Sequence, residues 1–481
     1  MRRRYSAQRV PDTGADCYAM TVLPSTRRPW RGAELLLLAL AWLVSALALA
    51  QVHWTSFGAP IPGLWLTLGV IIALSTAMHL VVQWKAPYAD QVMLPVATLL
   101  TSLGLTMIAR LDTASARGAQ SAGATPPTPD LYAQLTWLGI AAILFIATIV
   151  LLRDHRRLQR FTYSLGLGGL ILLVLPLVPG IGTTVNGATL WIRIGSFSFQ
   201  PGEIAKILLT ASIAGYLVMK RDSLSLVRVK AFGVGLPRAR DLGPLIAAWV
   251  VSLAILVFER DLGTSLLFFG IFVGMLYIAT QRPSWLVMGL GLFLLGSFIA
   301  VMSFGHVRSR VAIWLDPWAQ ADGAGYQIVQ SLYGFANGGL FGAGLGQGYP
   351  NYVPFASTDF IIAAFAEELG LVGLVAFIVL YGILVERGLR TAIESIDPFG
   401  QLLAAGLSIA LGFQAFIIIA GVSRLIPLTG LTTPFLSYGG SSLIANWIII
   451  ALLIRVSDRA RRPPPRAVNA SDAVTAVLGR P

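Results

Sequence analysis

The sequence predicts an all-α integral membrane protein, a polytopic bundle of about twelve transmembrane helices with one large extracytoplasmic loop. Three observations predict it. Of the 481 residues, 56% are hydrophobic and only 12% are charged, against about 25% charged in soluble domains. Mean hydropathy is +0.74. Apolar runs close to the ~20 residues needed to cross a hydrocarbon core recur along the chain. A soluble multidomain enzyme is excluded. The net charge of +13 does not indicate a nucleic-acid binder, because the basic residues lie between apolar runs, as a topology signal places them. The single cysteine, Cys17, excludes an intrachain disulfide and a CxxC site.

The elements follow in order. A polar tail over residues 1–32 precedes the first apolar run, which is therefore no cleavable signal. Spans are expected near 33–53, 61–84, 91–110, 131–152, 162–179, 203–219, 242–258, 262–280, 284–303, 359–386, 398–421 and 438–455. The fifth and sixth are short. A cytoplasmic N-terminus puts roughly three-quarters of the Lys and Arg on the cytoplasmic side. That topology leaves a long outer loop over 304–358 and shorter outer segments at 111–130, 180–202 and 422–437. Residues 457–481 read as a disordered basic tail on the cytoplasmic side.

Ionisable groups in or beside a span are expensive and tend to be functional. Here they concentrate at the outer face: Glu203, Lys206, Glu259, Arg260, Asp261, Arg308, Arg310, Asp316, Asp322, Asp359, Glu367, Glu368 and Arg424. A shared polar cavity beneath the outer loop is expected to hold Glu203, Lys206, Asp261, Asp359 and Glu367. Simpler readings exist. Glu203 and Lys206 are spaced i,i+3 and can merely pair, and one of Glu367 and Glu368 can be buried by pairing. The glycine-rich run Gly338–Gly348 can approach a phosphate through its amides but lacks a P-loop lysine, so it reads better as a re-entrant loop. His53, His79, His155 and His306 form no metal-ligand pair, and a zinc site, a haem or a nucleotide site is unsupported.

Several strings are recognisable together: NGATLWIRIGSFSFQPGEIAK (Asn186–Lys206), DLGTSLL (Asp261–Leu267), GYQIVQSLYGFANGGLFGAGLGQG (Gly325–Gly348), TDFIIAAFAEELGLVG (Thr358–Gly373) and PLTGLTTPFLSYGGSSLIAN (Pro427–Asn446). In order and spacing they closely resemble the FtsW/RodA/SpoVE family of peptidoglycan glycosyltransferases, more its elongation (RodA) branch than its division branch. The resemblance covers about residues 90–456. It implies a ten-helix core over 90–456, with helices over 33–89 as an N-terminal addition, in the bacterial cytoplasmic membrane. It further implies polymerisation of lipid II into glycan strands at the outer face, and a class B penicillin-binding protein as transpeptidase partner.

The chemistry needs a carboxylate to accept a sugar hydroxyl proton, and cations or a divalent metal (Mg or Mn) to offset charge on the departing pyrophosphate. Arg310 ranks first as clamp because it matches the family's arginine ahead of the loop's Pro segment. Arg308, Lys206 and Arg193 follow. Glu203, Asp261, Asp359 and Glu367 complete the substrate-binding candidates. At the position of the family's catalytic aspartate this chain has Gln320, and an amide cannot act as base. Asp322 or Asp316 is the expected substitute. Leu190, Ser357 and Glu259–Arg260 also depart from the family pattern. An active polymerase, a scaffold or activator that binds without polymerising, and a transporter or lipid flippase are all compatible with the sequence.

Overall fold

The computed structural model describes residues 29–463 apart from 56–63, 186–187, 196, 226–228, 232–233 and 237–238. Cys17 and the tails before residue 29 and after residue 463 lie outside the described residues. The described helices are α1 (Gly32–Thr55), α2 (Leu64–Lys85), α3 (Met93–Ser121), α4 (Asp130–Leu151), the single turn α5 (Arg156–Gln159), α6 (Thr162–Val174), α7 (Pro201–Ser225), α8 (Ala239–Phe258), α9 (Leu262–Thr280), α10 (Ser284–Ser303), α11 (Gly305–Leu315), α12 (Tyr326–Gly338), α13 (Ile361–Glu394), α14 (Pro398–Val422) and α15 (Gly440–Arg461).

Each of the twelve expected apolar runs is helical over most of its described residues. In hydrocarbon every backbone N–H and C=O must find its partner within the segment, which leaves helices as the solution for runs of this length. Among the described residues ten helices are long and apolar enough to cross a membrane, and two apolar stretches, Thr162–Leu177 and Ile246–Phe258, are shorter. The run beginning near 203 is not short: α7 reaches from Pro201, where proline suits the first helical position, to Ser225.

The core is built on α3, α14 and α15, whose most apolar stretches are 89%, 72% and 94% buried, whereas α10 is 6% buried and presents apolar side chains on nearly every face. Such an all-round apolar surface suits acyl chains, because lipid tails solvate Leu and Phe as well as a protein interior does. Basic residues cluster at one end of the bundle, where Arg387 and Arg461 flank buried Asp90 and Arg455 donates to the Lys85 carbonyl.

Two additions to an all-α reading occur. At the opposite end, β1 (Gly182–Val185), β2 (Ala188–Ile194) and β3 (Phe197–Phe199) form an antiparallel sheet, with Thr183 opposite Trp191 and Arg193 opposite Ser198. A second hairpin pairs β4 (Val229–Ala231) with β5 (Val234–Leu236). The 304–358 loop is itself structured, since α11 and α12 lie within it.

Candidate functional site

A cavity of about 870 Å³ lies at the end of the bundle that carries the three-stranded sheet. Its walls come from segments far apart in sequence. Strands β2 and β3 supply Leu190, Trp191 and Ser198, the start of α7 supplies Glu203, and the turn before α9 supplies Asp261. The α11–α12 loop region supplies Arg310 and Gln327, the start of α13 supplies Asp359, and Thr429–Thr432 with Tyr438 close the remaining side. Hydrogen bonds between these segments hold the rim together. Gln200 N donates to Ser441 Oγ at 2.8 Å, Tyr438 N to the Ser357 carbonyl at 2.7 Å, and Ser437 Oγ to the Thr358 carbonyl at 2.6 Å.

Each charged wall residue is placed by a local rule. Asp261 is the N-cap of α9, accepting from Thr264 N at 2.8 Å, the role for which a short carboxylate is favoured. Glu203 sits in the first turn of α7, where the helix dipole favours an anion. Arg310 donates from Nη1 to the Leu428 and Thr429 carbonyls at 3.1 and 3.2 Å, so its guanidinium is fixed on the wall by backbone rather than by a carboxylate. Asp359 receives no hydrogen bond from any described residue.

Burial dominates the electrostatics. It pushes the Asp359 carboxyl up to about 6, with Arg310 pulling it down and Asp261 pushing it up. Burial likewise raises Asp261, partly offset by its bonds to Thr264 and by Arg310. Glu259, 3% exposed and beside Asp261, is pushed up to about 8 by burial first and by Asp261 second. It does not line the cavity. A carboxyl held near neutrality next to a fixed cation is the arrangement expected where a proton changes hands beside developing negative charge.

The expected five-residue cluster is only partly present. Glu203, Asp261 and Asp359 share the cavity with Arg310. Lys206 lies one bond behind the wall, 2% exposed, with Nζ 2.8 Å from Glu203 Oε2 and 2.6 Å from Gln414 Oε1. The i,i+3 pairing is therefore real, and it occupies the lysine. Glu367 is elsewhere. Its Oε1 accepts from Tyr349 N at 2.9 Å, while Glu368 pairs with Arg110 and accepts from Gly346 N. Both glutamates hold the glycine-rich loop, and neither lines the cavity. Ala343 N and Gly344 N donate to the carbonyls of Glu367 and Glu368. The loop is thus folded onto α13 and these amides are not available to an anion.

Three further expectations need correction. Arg308 is two residues from Arg310 on α11, about 200° round the helix, and it donates to the Val301 and Met302 carbonyls at the end of α10. It caps a helix instead of clamping a substrate. Arg193 shares a face of β2 with the wall residue Trp191 and pairs with Ser198, but it is exposed and is not itself a wall residue. Asp316 is spent on the turn that follows it, accepting from Trp318 N and Ala319 N at 3.1 and 3.3 Å, the usual use of Asp at a turn. Asp322 is exposed, two residues before the wall residue Ala324, and Gln320 is exposed as well; neither lines the cavity.

The sequence did not single out Trp137, Trp191, Gln200, Gln327 or Tyr438 as wall residues. Four of them lie inside the recognised strings or directly flank them, but nothing in their spacing marks them individually. Among the described residues no group of three or more His, Cys, Asp or Glu side chains is placed to hold a metal ion.

Comparison with known proteins agrees with this architecture. A family profile described as cell cycle protein, for FtsW, RodA and SpoVE, matches residues 90–462. The peptidoglycan glycosyltransferase RodA of Mycobacterium tuberculosis (strain H37Rv) is 50% identical over 435 residues, 90% of this chain and 92% of the relative. The probable peptidoglycan glycosyltransferase FtsW of Geobacter metallireducens is 38% identical over 379 residues, 78% of this chain and 96% of the relative. An alignment over 90% of the chain cannot fit after residue 90, so the mycobacterial likeness extends into the segment of α1 and α2. Among solved structures, a chain from a peptidoglycan synthase complex that coordinates polymerization and crosslinking superposes with a TM-score of 0.61 at 28% identity, covering 78% of this chain and 99% of that one. The rod shape determining protein RodA of Thermus thermophilus superposes with a TM-score of 0.53 at 25% identity, covering 78% and 98%.

Proposed function

The chain belongs to the FtsW/RodA/SpoVE family of cell cycle proteins, and from that membership we infer that it is a peptidoglycan glycosyltransferase, a multi-pass protein of the cytoplasmic membrane. Its substrate is lipid II, polymerised into glycan strands, and its work contributes to the cell wall in elongation or division. The cavity faces outward and both termini are cytoplasmic. Supporting that orientation, Arg153–Arg160, Arg387, Arg390 and Arg455–Arg462 all lie at the end of the bundle opposite the cavity, as the positive-inside rule requires. A class B penicillin-binding protein serves as transpeptidase partner, a reading supported by the likeness to a chain of a complex that couples polymerization to crosslinking.

The observation that carries the reaction is a cation, Arg310, fixed by backbone carbonyls on the cavity wall among carboxylates. Arg310, held by two carbonyls, needs no rearrangement to meet a pyrophosphate at headgroup level. In the transfer, a sugar 4-hydroxyl attacks the anomeric carbon of a second lipid-linked sugar. The bond from that carbon to the pyrophosphate oxygen breaks, and its electron pair leaves with the lipid pyrophosphate. Arg310 offsets the charge as it develops, the kind of preorganised contact whose removal costs about 10²–10³ in rate.

The test is polymerisation of lipid II by the purified protein with its transpeptidase partner. Glycan chains from wild type and a loss of about 100-fold in Arg310→Ala support the assignment. Binding of lipid II with no chains under any condition marks the protein as a scaffold, and movement of lipid II across vesicles without chains marks it as a flippase.

A further inference from the structure

We propose that Asp359 is the general base of this chain, taking the proton of the attacking sugar hydroxyl in place of the loop residue, which here is Gln320. The inference rests on the glycosyltransferase reading above and names a further catalytic residue within it.

The argument is one of occupancy. Three carboxylates line the cavity: Glu203, Asp261 and Asp359. Glu203 is bonded to the Lys206 ammonium at 2.8 Å. Asp261 caps α9 through Thr264 N at 2.8 Å. A proton placed on either would weaken a bond that holds a helix end. Asp359 alone of the three receives no hydrogen bond from any described residue, so its lone pairs are free for a substrate hydroxyl. The loop carboxylates fare worse. Asp316 is engaged with two backbone amides, and Asp322 stands in solvent outside the cavity wall. Glu259 is buried behind the wall and out of reach.

Position agrees with the role. Asp359 lies just before α13 in the same cavity as Arg310, whose charge acts on it, and a Cβ added at Gly430 would come within 3.8 Å of Asp359 Oδ2. The absence of a side chain at Gly430 therefore leaves room directly before the carboxylate, and φ of +75° there already favours glycine. A sugar whose pyrophosphate meets Arg310 brings its reacting carbon into this space. The hydroxyl proton passes to Asp359, the new bond forms from the sugar oxygen to the anomeric carbon, and the pyrophosphate departs toward Arg310. Protonated Asp359 then returns its proton to solvent.

The charged groups around Asp359 are Arg310 on α11, Asp261 before α9, Glu203 with Lys206 on α7, and Arg260, which also lines the cavity. With this set, Asp359 ionises as pH rises through about 6. A base is active when ionised, so kcat/KM falls as pH drops below that value.

The experiment is lipid II polymerisation with the partner present, across about pH 5 to 8, for wild type, Asp359→Asn, Asp359→Glu, Asp316→Asn and Asp322→Asn, together with lipid II binding. Asp359→Asn is expected to bind lipid II and lose about 10²–10⁴ in kcat, without an acid limb in its residual rate. Asp359→Glu keeps a titrating group and recovers part of the rate with a displaced limb. Asp316→Asn and Asp322→Asn stay within about threefold of wild type. A loss of less than about tenfold in Asp359→Asn, or an acid limb that stays in place in both Asp359 variants, overturns the inference while leaving the glycosyltransferase reading intact. If Asp359→Asn does not fold, the limb in Asp359→Glu decides in the same way. No chains from wild type overturns both.

Discussion

Arg110 and Glu368, 258 residues apart, form an ion pair buried from solvent, with Arg110 Nε 3.1 Å from Glu368 Oε1. The pair does more than join α3 to α13. Arg110 Nη2 donates to the Gly348 carbonyl at 2.8 Å, and Gly346 N donates to the other oxygen of Glu368 at 2.8 Å. Together they pin the far end of the glycine-rich loop against the bundle. The end of α1 supports the same loop, since Thr55 Oγ1 donates to the Leu345 carbonyl. Helix α1 precedes the segment matched by the family profile, so this support is supplied from outside the matched core.

Removing one partner strands the other. Arg110→Leu leaves a buried, uncompensated carboxylate and is expected to cost about 3–5 kcal/mol of stability. Arg110→Leu/Glu368→Leu should recover part of that loss, because a buried pair is often no better than an apolar replacement. It should not recover all of it, because Gly346 N then loses its acceptor at about 1–3 kcal/mol. Thermal unfolding of the purified protein measures all three states. Equal melting temperatures for the single and double variants would contradict the pairing energetics.

Gly370 is where α13 breaks. Its φ of 64° and ψ of −166° belong to a region that only glycine occupies without strain. The break turns the carbonyls of Glu367 and Glu368 toward Ala343 N and Gly344 N. A Cβ at Gly370 would fall 2.3 Å from Gly342 N and 2.7 Å from Leu340 C, both backbone atoms with no room to withdraw. Gly370→Ala should therefore cost more than the roughly 1 kcal/mol of an ordinary strained position, and it should release the 338–348 loop. Limited proteolysis in that loop, compared with wild type, reads the release directly. Unchanged cleavage would show that the break does not hold the loop.

Lys206 keeps Glu203 on the cavity wall. Lys206→Met leaves Glu203 buried without its cation and should lower stability by about 3–5 kcal/mol. Gln414 also loses a contact of 2.6 Å, although its Nε2 still reaches the Thr432 carbonyl. Adding Glu203→Gln removes the stranded charge and should restore much of the stability. Polymerisation should remain depressed in the double variant, since Glu203 itself faces the cavity. Recovery of both properties together would mean that the pair is structural only.

The helices were legible because membrane spans announce themselves by length and hydropathy, and the charged wall residues because charge in so apolar a chain is costly. Glu203, Asp261, Asp359 and Arg310 were found on that ground. Glu367 was placed in the cavity wrongly, because its partner Tyr349 N depends on how the glycine loop folds back, which no local pattern encodes. Asp316 carried a local signal that went unused: an Asp two and three residues before free amides is more often a turn cap than a base. The sheet over the cavity was also missed. Strands of four, seven and three residues are too short to set up a clear alternation, and they are stabilised by pairing with one another across turns.

Glu259 supplies the clearest pH dependence outside the reaction itself. Its carboxyl is buried, its own carbonyl accepts from Thr189 N at 3.3 Å, and its pKa is raised from 4.5 to about 8 by burial and by Asp261. A carboxyl whose folded-state pKa is raised binds its proton more tightly when folded than when unfolded. Its contribution is fully present below the unfolded value and is lost progressively as pH rises through the folded one. Between about pH 4.5 and 8 the wild-type protein should therefore lose stability at this position as the unfolded chain ionises and the folded one does not. Glu259→Gln keeps the shape and removes the titration. Its melting temperature relative to wild type should be lowest near pH 5, rise steadily to pH 8 and level off above it. A difference independent of pH over that range would show that Glu259 titrates alike in the folded and unfolded chain, so that burial does not hold its proton.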